Sequence, residues 1–197
     1  YAVILSPTRN DVQKISGEPD PVDVTHDYKI TQQSDGSSIV EGEYSLSGEG
    51  AYELRTLAKL KGEEALIEIL KVMLAGKYHA VSPPTLSFKD GLKSEGSLTV
   101  TYRVVSDDVS KAQYLRVPTN NRVDMLRFAE KERWTDLYLG PRGRSRTTLK
   151  VIGPLTYDDA VNDCITLSPW FDYTREVRTN STGFDVVDEV VQKKTTL

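Results

Sequence analysis

One helical stretch, flanked on both sides by strand patterns, constrains the fold of this chain more than any other feature. It runs from Gly48 to Lys77, and in its second half apolar residues recur every three or four positions, as on one face of an α-helix. These residues are Leu66, Ile69, Leu70, Met73 and Leu74. The stripe predicts a helix that lies on a sheet and ends at a Gly76 C-cap, and the break at Lys61-Gly62 predicts two helices.

The segments around the helices alternate apolar and polar residues with the period of two that is typical of strands. The clearest run begins at Val22, and Asp35-Gly36 predicts a hairpin turn before the alternation resumes up to Leu46. Two further runs follow Pro83-Pro84. Beyond residue 107 we predict short strands, including ones at 114–117 and 136–139, together with a helical turn at 123–131.

We therefore predict a β-dominated α+β fold, in which a ββααββ unit is followed by an antiparallel β-sandwich-like region. The predicted parts are an N-terminal strand and linker at 1–21, an α+β unit at 22–106 with a helical corner at 49–76, and the sandwich-like region at 107–197. The last two can form one domain.

The bulk composition excludes several functional classes. The chain has 197 residues and a formal net charge of −4, which gives it no general affinity for nucleic acid. Its apolar runs are far shorter than the ~20 residues that span a bilayer, so we predict no membrane insertion. One cysteine excludes an internal disulfide. Because the chain starts at Tyr1 and goes straight into a strand pattern, we expect it to be part of a longer protein.

A basic stripe is the strongest candidate for a binding surface. Arg142, Arg144, Arg146 and Lys150 are spaced by even numbers of residues, so a strand would project all four from one face. Such a row could bind a carboxylate, a phosphate or the acidic surface of a partner. The alternative is that these cations pair with Asp and Glu residues of this protein on a neighbouring strand.

Cys164 is the only thiol nucleophile in the chain. It lies in a strand pattern, whereas a reactive thiolate usually sits at a helix N-terminus beside a histidine. We therefore expect Cys164 to be a small buried side chain, His26 to be a half-buried core residue, and His79 to be a surface or capping residue. Since one histidine without a second ligand holds no metal, we predict neither a metal nor a cofactor.

Three aromatic residues, Trp134, Trp170 and Tyr173, could form a stacking platform for sugar rings together with Phe171. The alternative is that Trp170 and Phe171, which follow a Ser168-Pro169 turn, close the end of a sandwich.

Two long segments resemble a known family. The run EGEYSLSGEGAYELR at 41–55, followed by TVTYRV at 99–104 and YLRVP at 114–118, resembles the β-rich segments that flank the core of bacterial transglutaminase-like and cysteine protease proteins. The tail is similar to the same segments, with TDLYLGPRGRSRTTLKVIGP at 135–154 leading to SPWFDYTREVRTNSTGFDVVDEVVQKK at 168–194.

The resemblance implies an exported protein of the periplasm or cell envelope, in which a papain-like core precedes this chain. That core carries Cys, His and Asp in this order. The order is not matched here because no histidine follows Cys164, so no catalytic residue is carried over.

These observations predict that the chain itself is not an enzyme. We expect an accessory or interaction module that packs on or positions its own catalytic core, or binds another protein. One alternative hypothesis is a carbohydrate-binding module that uses Trp134, Trp170 and Tyr173. A third hypothesis is an enzyme that acts through Cys164.

Overall fold

The computed structural model describes residues 2–6, 9–13, 22–89, 92, 96–107, 142–153 and 163–194. Within these ranges the elements are β1 (Ala2–Ser6), β2 (Arg9–Gln13), β3 (Val22–Gln32), β4 (Ser38–Leu46), α1 (Gly48–Lys61), α2 (Glu63–Tyr78), β5 (Thr85–Phe88), β6 (Leu98–Ser106), β7 (Gly143–Ile152), β8 (Cys164–Leu167), β9 (Phe171–Asn180) and β10 (Gly183–Gln192).

Eight strands form one mixed sheet in the order β5-β6-β4-β3-β7-β10-β9-β8, while β1 and β2 pair separately. Every pair in the large sheet is antiparallel except β3 with β7, which run parallel. This parallel junction joins the strands of residues 22–106 to the strands of residues 143–192. The β-dominated α+β class is therefore confirmed.

The sandwich-like region predicted for residues 107–197 is not confirmed. Its described strands do not stack on the first half as a second layer. Instead β7 pairs with β3 from Val22↔Gly143 to Thr31↔Ile152, so the second half extends the same sheet and continues its apolar face. The predicted strands at 114–117 and 136–139 and the helical turn at 123–131 lie outside the described residues.

The sheet has two chemically different faces, because successive side chains of a strand point to opposite sides. The inner face is apolar and buried, and its largest cluster is Tyr28, Ile30, Val40, Tyr78, Tyr102, Val104, Leu149, Val151, Phe184 and Val186. The outer face carries the alternate residues of the same strands, which are mostly charged or hydroxylated. A candidate surface site therefore belongs to the outer face, and buried polar groups belong to the inner one.

Helices α1 and α2 lie on the inner face over the first half of the sheet. The packed face of α1 consists of Leu54, Leu57 and Ala58, and it meets the cluster around Leu46 and Leu98. The predicted break between the helices is confirmed. Gly62 has φ +90°, a backbone conformation that is readily accessible to glycine alone.

The apolar stripe of α2 differs from the predicted one. The residues that face the sheet are four apart, namely Leu66, Leu70, Leu74 and Tyr78. Ile69 and Met73 are instead 37% and 64% exposed, because the helix contacts the sheet along a single inclined i, i+4 ridge. The predicted C-cap at Gly76 is wrong as well, since α2 continues to Tyr78 and ends at left-handed His79.

Candidate functional site

The basic stripe lies on the outer face, near the centre of the sheet. Arg144, Arg146 and Lys150 are exposed on β7, and Leu149 and Val151 of the same strand are buried on the inner side. β7 has four strands of the large sheet on one side and three on the other. Arg142 immediately precedes β7 and is also exposed.

The cations of the stripe differ in whether the protein neutralises them. Arg144 places its Nε 3.2 Å from Oε1 of Glu189 on β10, and its backbone N–H donates to Oδ1 of Asp23 at 3.1 Å. Among the described residues, Arg146 and Lys150 have no ion-pair partner within 4.0 Å. Internal pairing thus holds for Arg144, whereas Arg146 and Lys150 remain available.

Two shallow concavities meet at this stripe. One, of about 540 Å³, lies across β6, β4, β3 and β7. The other, of about 510 Å³, lies across β7, β10 and β9. Thr148 and Lys150 line both, so the two concavities form one continuous depression across six strands.

At the level of Lys150, six neighbouring strands each contribute one charged residue to a cross-strand row. In strand order these residues are Arg103, Glu41, Lys29, Lys150, Asp185 and Arg178. The signs alternate except at the parallel junction, where Lys29 and Lys150 lie opposite each other. Like charges in this position repel, and Lys29 has Glu41 at 3.9 Å. The two lysines of the junction are therefore adjacent, with Glu41 and Asp185 on the strands beyond them.

A second row of polar residues crosses the inner face. In register, from β4 to β8, it consists of Tyr44, His26, Thr147, Asp188, Arg175 and Cys164. The sequence analysis did not find this row because its members come from separate strands. One sequence feature could have indicated a buried polar group, because Asp188 occupies one of the alternate positions of β10 that are buried and mostly apolar.

On the helix-covered side of this row, His26 is buried at 6% exposure, as expected for a core histidine. Its Nε2 lies 2.6 Å from the Tyr102 hydroxyl, which is 2.9 Å from the Tyr78 hydroxyl. The imidazole also stacks on Tyr28 with 4.5 Å between ring centroids. Burial, reinforced by the charge of Lys77, lowers the pKa of His26 to about 3. The imidazole is therefore neutral near pH 7.

On the other side, Asp188 is 2% exposed and forms a bidentate pair with Arg175. The guanidinium Nε and NH2 donate to Oδ1 and Oδ2 at 2.6 and 2.8 Å. The Tyr173 hydroxyl donates to Oδ1 at 3.0 Å, and burial together with the Asp188 charge raises the pKa of Tyr173. The hydroxyl of Tyr173 thus forms an internal hydrogen bond with Asp188.

Only two of the three residues of the predicted aromatic platform lie within the described residues. Trp170 lies in the turn between β8 and β9, where its carbonyl accepts from the Lys193 N–H at 2.7 Å, and Tyr173 lies three residues further on. Trp134 is outside the described residues, so the platform of Trp134, Trp170 and Tyr173 stays a prediction.

Cys164 is exposed, so the expectation of a buried thiol is wrong. The reason is that β8 lies at the edge of the sheet formed by the described strands and pairs there with β9. His26 lies on β3, four strands away, which corresponds to about 19 Å at ~4.8 Å per strand. His79 lies beside Ala80, which pairs with β6 still further from β8. Neither histidine can act as a base for this thiol in the described arrangement.

No protein-family model, curated protein or solved structure matches this chain. The resemblance to transglutaminase-like proteins therefore stays a prediction. In the described part of the chain, no helix is both long and apolar enough to cross a membrane. The same residues contain no group of three or more His, Cys, Asp or Glu side chains placed to hold a metal ion.

Proposed function

We propose that this chain is a non-catalytic interaction module, which binds a partner protein through the outer face of its sheet. The observation that supports the proposal best is the state of Arg146 and Lys150. Both are exposed and have no ion-pair partner among the described residues, while Arg144 on the same strand is neutralised by Glu189. Lys150 lines both concavities, and Arg146 lines the one across β7, β10 and β9. A carboxylate of a partner would find two cations that need not first leave an internal ion pair.

The size and charge of the outer face suit a protein partner. Six strands at ~4.8 Å spacing and about nine residues at ~3.3 Å each give roughly 860 Å², close to the ~800 Å² that one partner typically buries. The same face carries the carboxylates Asp27, Glu43 and Glu176, which would repel a phosphate backbone. Mixed charges of this kind favour specificity and fast association between proteins.

The resemblance suggests which protein this partner is. We propose the papain-like core of a transglutaminase-like parent protein in the periplasm or cell envelope, which the module packs on or positions. Another protein of the same compartment is the remaining candidate under this hypothesis.

The test is calorimetric titration of this chain with the core of its parent protein at low and high salt. We expect saturable binding that weakens with salt and is lost in the Arg146→Glu/Lys150→Glu variant. The matched control is Lys59→Glu/Lys194→Glu, which makes the same change in net charge at exposed positions on α1 and after β10. Equal binding by the two variants would reject the outer face as the interface.

A further inference from the structure

Among the described strands β8 forms one edge of the sheet, and its own four residues include none of the types that usually protect an edge. Its four residues are all exposed, and Ile165 and Leu167 are each 72% exposed. It contains no charged residue, proline or glycine, whereas natural edge strands usually carry a charge, a proline or a bulge to block further pairing. At the opposite edge, β5 is preceded by Pro83-Pro84 and followed by Lys89, which is paired with Glu43.

The hydrogen bonds of the β8–β9 hairpin show which backbone groups of β8 point outward. The Ser168 N–H donates to the Phe171 carbonyl on the β9 side. Because the direction alternates along an antiparallel strand, Thr166 also directs its N–H and C=O towards β9. Ile165 and Leu167 therefore direct theirs towards the open edge.

We propose that β8 is a dimerisation edge, on which the β8 strand of a second copy of this chain pairs antiparallel. In the register that the sequence favours, Thr166 lies opposite Thr166 of the partner subunit. Ile165 then faces the partner's Leu167, and Leu167 faces the partner's Ile165. The outward N–H and C=O groups of these two residues are satisfied by the same groups of the second copy.

A second copy fits this edge because the segment Ile165-Thr166-Leu167 is self-complementary. A two-fold axis through Thr166 places an aliphatic residue opposite an aliphatic residue on both sides, as an isologous interface requires. Thr–Thr and β-branched pairs are favourable across strands, and this register brings no like charges together between Asp163 and Ser168. The pairing would cover the two aliphatic side chains that are now exposed.

Cysteine cross-linking tests the register directly. The Thr166 pair across the two-fold axis would be a non-hydrogen-bonded pair, with Cα atoms about 4.5 Å apart, within the 4.4–6.8 Å range of disulfides. In a Cys164→Ser background, we expect Thr166→Cys to form a covalent dimer under mild oxidation. The control is Thr85→Cys in the same background, an exposed position on the opposite edge, which should remain monomeric.

Sedimentation velocity over a concentration series tests the dimer without cross-linking. We expect the unmodified chain to shift from monomer to dimer as its concentration rises, and the Ile165→Lys/Leu167→Lys variant to remain monomeric. Both side chains are exposed, so a native-like circular dichroism spectrum and a cooperative melting transition should show that this variant folds. The proposal is overturned if the unmodified chain stays monomeric, if its dimer survives the two lysines, or if Thr166→Cys cross-links no faster than Thr85→Cys. None of these outcomes depends on binding to a catalytic core.

Discussion

The two halves of the sheet bury a titratable side chain in the same inner-face row by different means. On the helix-covered half, His26 is neutral, because burial lowers its pKa to about 3, and it bonds to the Tyr102 hydroxyl. Two strands away, Asp188 is held by the guanidinium of Arg175 and the hydroxyl of Tyr173. The first half removes charge from its interior, while the second compensates charge with charge. The two arrangements should therefore respond differently to mutation and to pH.

The largest effect is expected from Asp188→Ala. It leaves the guanidinium of Arg175, whose side chain is 11% exposed, without its bidentate partner inside the protein. Loss of one member of a buried pair typically costs about 3–5 kcal/mol of unfolding free energy, which urea denaturation would measure. The double variant Asp188→Val/Arg175→Met removes both charges and should recover most of the loss. If Asp188→Ala lowered the unfolding free energy only slightly, the Asp188–Arg175 pair would not be a major contribution to the stability of this half.

The second effect is a loss of stability in acid on the His26 side. His26 has a pKa of about 3 in the folded state and ~6.5 when unfolded, so the unfolded chain binds the additional proton between these values. Stability therefore rises with pH across this window and is lost as pH falls from 6.5 towards 3. Between pH 6 and pH 4 this residue should account for about 2–3 kcal/mol of unfolding free energy.

Urea denaturation at several pH values would measure this dependence. His26→Phe keeps a ring against Tyr28 but does not titrate, so its stability should depend less on pH by that amount. His79→Gln is the control, because His79 is exposed at the end of α2. An equal pH dependence in His26→Phe and the unmodified chain would contradict the neutral interior of this half.

Gly42→Ala tests the packing around the hydrogen-bonded network of His26, Tyr102 and Tyr78. A Cβ at Gly42 would collide with the ring of Tyr102, which bonds to both His26 and Tyr78. Overpacking of this kind costs about 1–3 kcal/mol and should appear as a lower thermal midpoint. The contrasting change is Gly76→Ala on α2, where an added Cβ meets nothing within 4 Å and should stabilise the helix by about 0.5–1 kcal/mol. Similar effects at both glycines would argue against a tight network.

The smallest effect is expected from Arg144→Ala, which removes an ion pair from the outer face. The Arg144 side chain is 59% exposed and its partner Glu189 is 21% exposed, so water screens the pair. Such pairs contribute about 0–1 kcal/mol, and high salt should reduce even that. A loss as large as that of Asp188→Ala would remove the distinction between buried and exposed pairs on which the comparison depends.

The sequence predicted the individual elements better than their arrangement. The hairpin at Asp35-Gly36 and the break at Gly62 were found because each depends on short-range backbone preferences. The errors concern contacts between distant residues. Alternation indicated that the later strands have one apolar face, but not whether that face meets a second sheet or continues the first. The periodicity of α2 likewise indicated an amphipathic helix, but not that the ridge through Tyr78 would be the buried one.

For the candidate site, the sequence likewise predicted the shared face of the cations but not their ion pairing. The spacing of Arg144, Arg146 and Lys150 was enough to place them on one face, since a strand alternates strictly. Which of them would be neutralised depended on the strand placed next to β7. The carboxylate that neutralises Arg144 is Glu189 of β10, a strand that begins about 40 residues further along the chain.

The sequence by itself determined the local features of this protein: where strands and helices form, which strand faces are apolar, and that one basic row shares a face. It could do so because hydrogen-bonding period, turn chemistry and side-chain polarity act over a few residues. Only the tertiary structure decided that β3 and β7 join in parallel and that Asp188 meets Arg175. It also decided that Arg146 and Lys150 have no ion-pair partner among the described residues, and that Cys164 lies at the edge of the described sheet. Each of these results from the register between strands distant in the chain, which the burial of the whole inner face selects.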